Sequence, residues 1–321
     1  MRSPNRRHDR ESFFKYMSAA IASIVLQNRM LRWSSPVLFN DPFDVPRERS
    51  FGLSPEDIVQ ALARRMTNLI EAPPEDTSRL EPKVRLIVET VKRGVSPELK
   101  AALLADVAET AATHRPIGQS MDALRAMWRD WIPQFRILCL TESPAHAAMW
   151  YHDADQYRGV VLEFRCDDVL DSAWLAARPV TYPAAKPAVY TADGWAQLLM
   201  TQGGLAIETL LDVATYTKAP DWSYEREWRI TSCMRQTDTG PFTDYKFDPL
   251  ELTGVYLGPN IPAPHQEAIT ALATRFPRAR LWNVSIGMDC EFAFAGSMGS
   301  RALFCTARSS GVLWWSSLRT R

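Results

Sequence analysis

Residues 53–133 carry an almost continuous helical pattern, whereas the segments on both sides of them carry the pattern of β-strands. The helical block contains SPEDIVQALARRMTNLI at 54–70 and SPELKAALLADV at 96–107. Serine is a favoured helix cap, and proline is tolerated at the first helical position. Apolar residues then recur every three or four positions, which is typical of helices that bury one face. We therefore predict a helical insertion at 53–133.

Short apolar runs rich in β-branched residues predict strands elsewhere. They include FFKYMS at 13–18, LRWSS at 31–35, FRILCL at 135–140, GVVLEF at 159–164 and EWRITS at 227–232. A strand, a helix and a closing strand are predicted between 252 and 286. These patterns predict an α+β fold in which a curved, mixed β-sheet forms the core. We expect one domain over 11–290, a disordered basic tail at 1–10 and an irregular tail at 291–321.

The overall composition excludes little, because Lys plus Arg and Asp plus Glu both number 37. Overall charge therefore gives no reason to expect nucleic-acid or membrane binding. The five cysteines are scattered without a Cys-x-x-Cys pair, which argues against a zinc site or a disulfide framework. No apolar run reaches the roughly 18 residues that a membrane span needs. We expect a bacterial cytoplasmic protein with no membrane contact.

The segment DWSYEREWRIT at 221–231 is the strongest candidate for a functional site. On an extended chain Glu225 and Glu227 would point to the same face, with Arg229 next along it. One interpretation is a solvated edge strand, in which the carboxylates pair with a neighbour such as Arg229. The other is a pair of carboxylates that line a cleft with aromatic walls.

Two other motifs have both a structural and a functional interpretation. In FNDPFD at 39–44, proline restricts the backbone around Asn40 and Asp41, so the motif suits either a rigid turn or a ligand contact. In MWYHDADQYRG at 149–159, Trp150 and Tyr151 suit either the core or a stacking surface for a ring.

The order of these motifs resembles the bacterial family known as domain of unknown function 2971. The matching strings are FKY at 14–16, NRMLRWSSPVLFNDPFD at 28–44, LCLTES at 138–143, the segment from MWYHDADQYRG to GVVLEF, the Glu-x-Glu-Trp-Arg motif and VYLGPN at 255–260. The resemblance covers roughly residues 13–286. It implies a family fold but no established activity.

A weaker resemblance, in the order of the elements, is to ADP-ribosyltransferases. Those enzymes bind NAD in the cleft of a split β-sheet, with residues from three separate strands. The resemblance implies that Lys15 or Tyr16 lies on the first strand, that Ser34 and Ser35 lie on the second, and that Glu225-x-Glu227 is the glutamate motif. It also implies NAD as a substrate and a protein or nucleic acid as the acceptor, in a defence or toxin system.

The chemistry of such a reaction suits these residue types. Cleavage between nicotinamide and ribose produces a cation-like ribose, which a fixed carboxylate stabilises. A second carboxylate can act as base for the acceptor, and aromatic rings can stack on the cofactor. We therefore predict a site without a metal ion. Its catalytic residues are Glu227, Glu225 and Arg229, and its NAD-binding residues are Lys15, Tyr16, Ser34, Asn40, Asp41, Trp150 and Tyr151.

Two alternatives belong to other classes of protein. One is a metal-dependent nuclease of a defence system, in which Asp41, Asp44 and Glu225 would converge on a divalent ion. The other is a non-catalytic binding protein, in which the same motifs only tie strands together through buried ion pairs.

Overall fold

The computed structural model describes residues 2–41, 44–45, 53–112, 122, 125–185, 190–203, 207–287, 291–298, 301–307 and 313–316. The fold is α+β, with a mixed, curved β-sheet. The chain forms two compact units. The first comprises residues 1–35, 135–180 and 221–321, and the second comprises residues 36–134 and 181–220.

The sheet belongs to the first unit and is antiparallel except where β8 lies parallel to β9. Its path runs β12-β11-β10-β9-β8-β4-β1-β3-β2-β7, and β6 pairs with both β3 and β5. The strands are β1 Ser12–Met17, β2 Met30–Ser34, β3 Phe135–Thr141, β4 Val160–Arg165, β5 Arg178–Pro179, β6 Glu227–Cys233, β7 Phe242–Lys246, β8 Leu252–Leu257, β9 Arg280–Ile286, β10 Phe292–Met298, β11 Arg301–Ala307 and β12 Leu313–Ser316.

The sheet forks at β3. One edge of β3 pairs with β6 along its whole length, from Phe135 to Thr141. Within the described residues, the other edge is shared: β1 meets it at the pair Phe14–Thr141 and β2 meets it at the pair Ser34–Ile137. A strand has two hydrogen-bonding edges, so β1 and β2 diverge from β3 as separate branches.

Alternation along the strands buries both faces of this sheet. Phe13 and Met17 of β1 pack on one face with Leu138 and Ile230. Helices α1 (Ala19–Asn28) and α8 (Ala263–Ala273) pack against each other and contribute to the same core. The opposite face contains Phe14, Tyr16, Trp150, Val161, Tyr256, Trp282 and Phe294.

The second unit is helical among its described residues. Its helices are α2 Pro55–Glu71, α3 Pro82–Lys92 and α4 Pro97–Ala112, a helical stretch at 125–131, then α6 Ala192–Met200 and α7 Ile207–Thr215. The α5 helix, Ala147–His152, belongs to the first unit. Ser54 caps α2 by accepting a hydrogen bond from the Asp57 N–H, so the predicted Ser-Pro start is confirmed. The residues at 181–220 join this unit although no sequence pattern assigned them to it.

The N-terminal segment differs from the disordered tail expected at 1–10. Arg6 makes a bidentate ion pair with Asp168, at 2.8 and 2.9 Å, and its side chain is 10% exposed. Ser3 is buried, and its hydroxyl donates to Asp171. The basic residues here are paired with acidic partners far along the chain rather than solvated. Residues 2–10 are therefore part of the first unit.

The C-terminal segment also differs from the expected irregular tail at 291–321. Strands β10, β11 and β12 form successive antiparallel pairs there, and Phe294 packs in the core. The rest of that predicted tail (299–300, 308–312 and 317–321) lies outside the described residues. Within the portion that the structure describes, no helix has both the length and the apolar character needed to cross a membrane.

Candidate functional site

Glu227 and Arg229 form a buried ion pair at the start of β6. The Arg229 guanidinium donates from Nε to Oε1 at 2.8 Å and from Nη2 to Oε2 at 2.9 Å. Glu227 is 4% exposed and Arg229 is fully buried. The two residues are two apart on one strand, so their side chains share a face. Glu227 is thus paired with Arg229, as one interpretation of the motif has it, but the pair is buried and not on a solvated edge strand.

Two polar side chains of β3 complete this group. Cys139 lies opposite Arg229, and Thr141 lies opposite Glu227. Burial, with a further contribution from the Glu227 carboxylate, raises the pKa of the Cys139 thiol. The thiol is therefore protonated and serves as a hydrogen-bond partner of Glu227. Cys139 is absent from our sequence-based prediction, although its inward position follows from the alternation of FRILCLT.

Glu225 is not part of strand β6, so the prediction that it shares a strand face with Glu227 is wrong. Residues Pro220–Glu225 form a 3-10 helix, and the strand begins at Glu227. Between them Arg226 has a left-handed backbone, with φ of 44°. That reversal breaks the period of two on which the prediction depended. The Thr141 hydroxyl donates to the Glu225 carbonyl oxygen at 2.6 Å and holds the turn against β3.

Tyr16 is a buried residue of β1. Its hydroxyl donates to the Ser143 carbonyl at 3.0 Å and accepts from the His146 N–H at 3.1 Å. Burial raises the pKa of Tyr16. Tyr16 therefore positions the loop after β3 and presents little surface to a ligand. The adjacent Lys15 is half-buried, and its charge acts on Cys139 by lowering the pKa of that thiol.

Trp150 and Tyr151 have different environments although they are adjacent. Trp150 is fully buried, lies edge-on to Tyr16 with ring centroids 5.4 Å apart, and donates to the Pro144 carbonyl at 2.7 Å. Tyr151 is 49% exposed. Trp150 is therefore a core residue, which is the structural interpretation of the motif. Tyr151 has an exposed ring on which another ring could stack.

Ser34 is half-buried at the end of β2, where it faces Ile137 across the fork. Directly paired residues share a face of a sheet, so Ser34 is on the side of β3 that carries Cys139 and Thr141. Lys15, Ser34 and Glu227 lie on β1, β2 and β6, the three strands that pair with β3. Their sequence-based assignment to one ligand site stays a prediction.

Asn40 and Asp41 belong to the second unit. There Asp44 is buried and lies 3.7 Å from the ammonium nitrogen of Lys218. Burial, assisted by the Asp44 and Asp41 charges, raises the pKa of Tyr190 to about 12. Asp41 and Asp44 therefore belong to a polar cluster whose members Tyr190 and Lys218 were not among our predicted site residues. Pro42 and Phe43 lie outside the described residues, and convergence of Asn40 and Asp41 with the first unit stays a prediction.

Three rings form a surface that we call the aromatic shelf: Trp222, Tyr224 and His146. The centroids of Trp222 and Tyr224 are 6.0 Å apart, and those of Tyr224 and His146 are 5.6 Å apart. All three are half-buried. Burial, and then the neighbouring Arg226 charge, lowers the pKa of His146. The imidazole is therefore neutral at pH 7. Our sequence-based site did not include these rings, although DWSYEREW shows two of them.

Among the residues that the structure describes, no group of three or more His, Cys, Asp or Glu side chains is placed to hold a metal ion. Comparisons of the chain with known protein families, with characterised proteins and with solved structures found no match. The two family resemblances therefore stay predictions.

Proposed function

We propose that the chain is a bacterial cytoplasmic ADP-ribosyltransferase that transfers ADP-ribose from NAD to a macromolecular acceptor in a defence or toxin system. The observation that carries this proposal is the fork of the sheet at β3, directly beside a buried, fixed carboxylate. A forked sheet provides a cleft bordered by several strands, which suits an extended dinucleotide.

The environment of Glu227 supports a catalytic role. Arg229 fixes the carboxylate in one orientation through two hydrogen bonds, so its negative charge keeps one position. Few water molecules surround the buried charge, so its stabilising effect on a nearby cation is stronger than in bulk water.

The reaction divides among the residues as follows. The bond between nicotinamide and ribose C1 breaks, and its electron pair leaves with nicotinamide. Glu227 stabilises the positive charge that develops on the ribose. The acceptor attacks C1 and loses a proton to Glu225, which lies at the end of the 3-10 helix, two residues before the start of the strand.

The other residues predicted to contact NAD fall into two groups, according to how deeply each is buried. Lys15, Ser34 and Tyr151 keep the proposed role of NAD contacts, because each is half-buried or exposed. Tyr16 and Trp150 are better described as positioning residues, because their polar atoms bond to the loop that follows β3. The predicted role of Asn40 and Asp41 as NAD contacts stays a prediction.

The test measures nicotinamide release from NAD by the purified chain, alone and with cell extract as a source of acceptors. Glu227→Gln should lower the rate by about 10²–10³-fold. Glu163→Gln is the matched control, since Glu163 is also a largely buried carboxylate of the first unit. The folded fraction of each variant is verified by circular dichroism at the assay temperature. Equal release by wild type and Glu227→Gln, or none under either condition, would refute the proposal.

A non-catalytic binding protein is the second candidate, and the bidentate Glu227–Arg229 pair favours it. Both carboxylate oxygens already bind a guanidinium, as expected of a structural ion pair. In that case Glu227→Gln changes stability, and no NAD is consumed by any variant.

A further inference from the structure

Residues 2–10, which we call the N-terminal strap, lie against two aromatic side chains of the sheet. The imidazole of His8 makes T-shaped contacts with Phe13 and Trp228, with ring centroids 5.0 and 5.2 Å apart. The Arg10 guanidinium lies 5.6 and 5.7 Å from the centroids of the same two rings. His8 and Arg10 therefore cover part of Trp228, which is half-buried on β6.

Glu142 joins the strap to the buried Glu227–Arg229 pair. Its Oε1 accepts a hydrogen bond from Trp228 Nε1 at 2.9 Å and lies 3.1 Å from Arg10 Nη1. Arg10 also donates from Nη2 to the Glu142 carbonyl at 3.1 Å. Trp228 is the residue between Glu227 and Arg229. The strap is thus connected, through one carboxylate and one indole, to the strand that holds this pair.

Two hydrogen bonds define which nitrogen of His8 carries a hydrogen. Nε2 lies 2.8 Å from the Trp174 carbonyl oxygen, which can only accept, so Nε2 is protonated. Nδ1 accepts the Arg10 backbone N–H at 3.1 Å, so it carries no hydrogen. The imidazole bound in this way is therefore neutral. A second proton, on Nδ1, would face the Arg10 N–H and break that hydrogen bond.

The surroundings of His8 favour this neutral form at pH 7. They comprise two arginines, one carboxylate, one backbone carbonyl and two uncharged rings: Arg6, Arg10, Asp9, Trp174, Phe13 and Trp228. Burial lowers the pKa of His8 most, and the two arginine charges lower it further, whereas the carbonyl and the carboxylate act in the opposite direction. The stability contributed by neutral His8 is complete above the ordinary pKa of 6.5 and is lost as pH falls through the lowered value.

The anchor at the other end of the strap is insensitive to mild acid. The hydrogen bond from Arg6 lowers the pKa of Asp168 to about 2, so this carboxylate keeps its charge well below pH 6.5. Arg6 also donates to the backbone carbonyls of His8 and Arg10, at 3.2 Å each. Mild acid thus leaves the backbone of the strap attached and acts on the His8 ring and its hydrogen bond to Arg10.

We propose that His8 is a pH-sensitive latch, whose protonation releases the imidazole from Trp228 and exposes that indole beside the Glu227–Arg229 pair. An imidazolium is strongly hydrated, and the two rings deny it that hydration in the latched position. The surface of β6 next to the pair is then more accessible in mild acid than at pH 7. This regulation belongs to the strap and does not rest on the proposed transferase activity.

NMR spectroscopy of the full chain, between about pH 7.5 and pH 4.5, tests the latch. The Cε1–H resonance of His8 should titrate with a midpoint below 6.5, and the Nε1–H resonance of Trp228 should shift with the same midpoint. Protection of the Arg10 amide against hydrogen exchange, corrected for intrinsic rates, should fall over that range. One bound proton allows a fall of up to about tenfold per pH unit.

Two variants separate the latch from a general effect of pH. His8→Gln keeps a donor for the Trp174 carbonyl but cannot gain a proton, so the Trp228 and Arg10 signals should no longer depend on pH in this range. His265→Gln is the matched control, because His265 is exposed on the helix Ala263–Ala273 of the same unit. It should leave both signals as they are in the wild type.

A His8 midpoint at or above 6.5 would overturn the inference, and so would a Trp228 signal that shifts identically in wild type and His8→Gln. The titration of His8 uses the wild-type chain, so it decides the question even if His8→Gln does not fold. A chain that titrates as described but releases no nicotinamide from NAD supports the latch and refutes only the transferase.

Discussion

Replacing Glu227 with glutamine tests the buried ion pair directly. The amide conserves the volume of the side chain but presents one acceptor oxygen where the carboxylate presented two. One of the two Arg229 hydrogen bonds is then lost, and an N–H group of the amide faces an N–H group of the guanidinium. The amide also carries no charge, so the fully buried guanidinium loses its ion pair with residue 227.

The expected cost follows from these losses. A hydrogen bond to a charged group contributes about 1.5–3 kcal/mol, and breaking a buried ion pair costs about 3–5 kcal/mol. We expect Glu227→Gln to lower the free energy of unfolding by about 3 kcal/mol. With about 2–4 °C of melting temperature per kcal/mol for domains of 150–250 residues, the melting point should fall by about 6–12 °C.

Urea unfolding monitored by tryptophan fluorescence measures this change, and two further variants serve as controls. Arg32→Gln breaks the bidentate but exposed pair with Asp244, and should change stability by less than about 1 kcal/mol. The double variant Glu227→Met/Arg229→Leu removes both charges and should recover most of the loss. A midpoint for Glu227→Gln that equals that of Arg32→Gln would show that burial of the pair does not determine its contribution.

Three further perturbations test other parts of the first unit. Tyr16→Phe removes a hydroxyl that makes two buried hydrogen bonds, so the free energy of unfolding should fall by about 1–3 kcal/mol in urea; a fall below about 0.5 kcal/mol would contradict this role. Burial raises the pKa of Glu163, so its contribution to stability is lost as pH rises through that value. Glu163→Gln should therefore be more stabilising relative to wild type at pH 7 than at pH 4, and a difference independent of pH would contradict it. The hydrogen bond from Arg6 lowers the pKa of Asp168 to about 2, so its contribution is present above pH 3.8 and is lost as pH falls through about 2. The melting temperatures of wild type and Asp168→Asn should therefore converge over that range, and a constant gap would refute the ion pair.

The fold could be predicted from local patterns where the pattern itself has a physical cause. The Ser-Pro starts of α2 and α4 predict helices because the first N–H groups of a helix have no partner within it. A serine side chain accepts a hydrogen bond from one of them, and proline has no N–H. The strands FRILCL and GVVLEF are visible because they are short, nearly continuous apolar runs, as expected where both faces of a sheet are buried. The branching at β3 has no such local signal, since it depends on which distant strands share one edge.

The candidate site was less predictable, for two reasons. Arg226 adopts a left-handed backbone that only glycine or asparagine would have signalled, so the turn between Glu225 and Glu227 was hidden. Trp150 and Tyr151 have similar character in the sequence, and only packing against Tyr16 separates the buried ring from the exposed one.

The pairing of strands that lie far apart in the sequence affects the way in which the protein is made on the ribosome. Strand β2 emerges early, but its partner β7 is synthesised roughly 200 residues later, which at about 5–20 residues per second takes about 10–40 s. Strand β1 waits for β4 in the same way. During that interval the nascent chain exposes strand edges that have no partner, while the helices of 53–112 can already form locally. The early strands are thus the segments that chaperones would have to protect until the last part of the first unit has been synthesised.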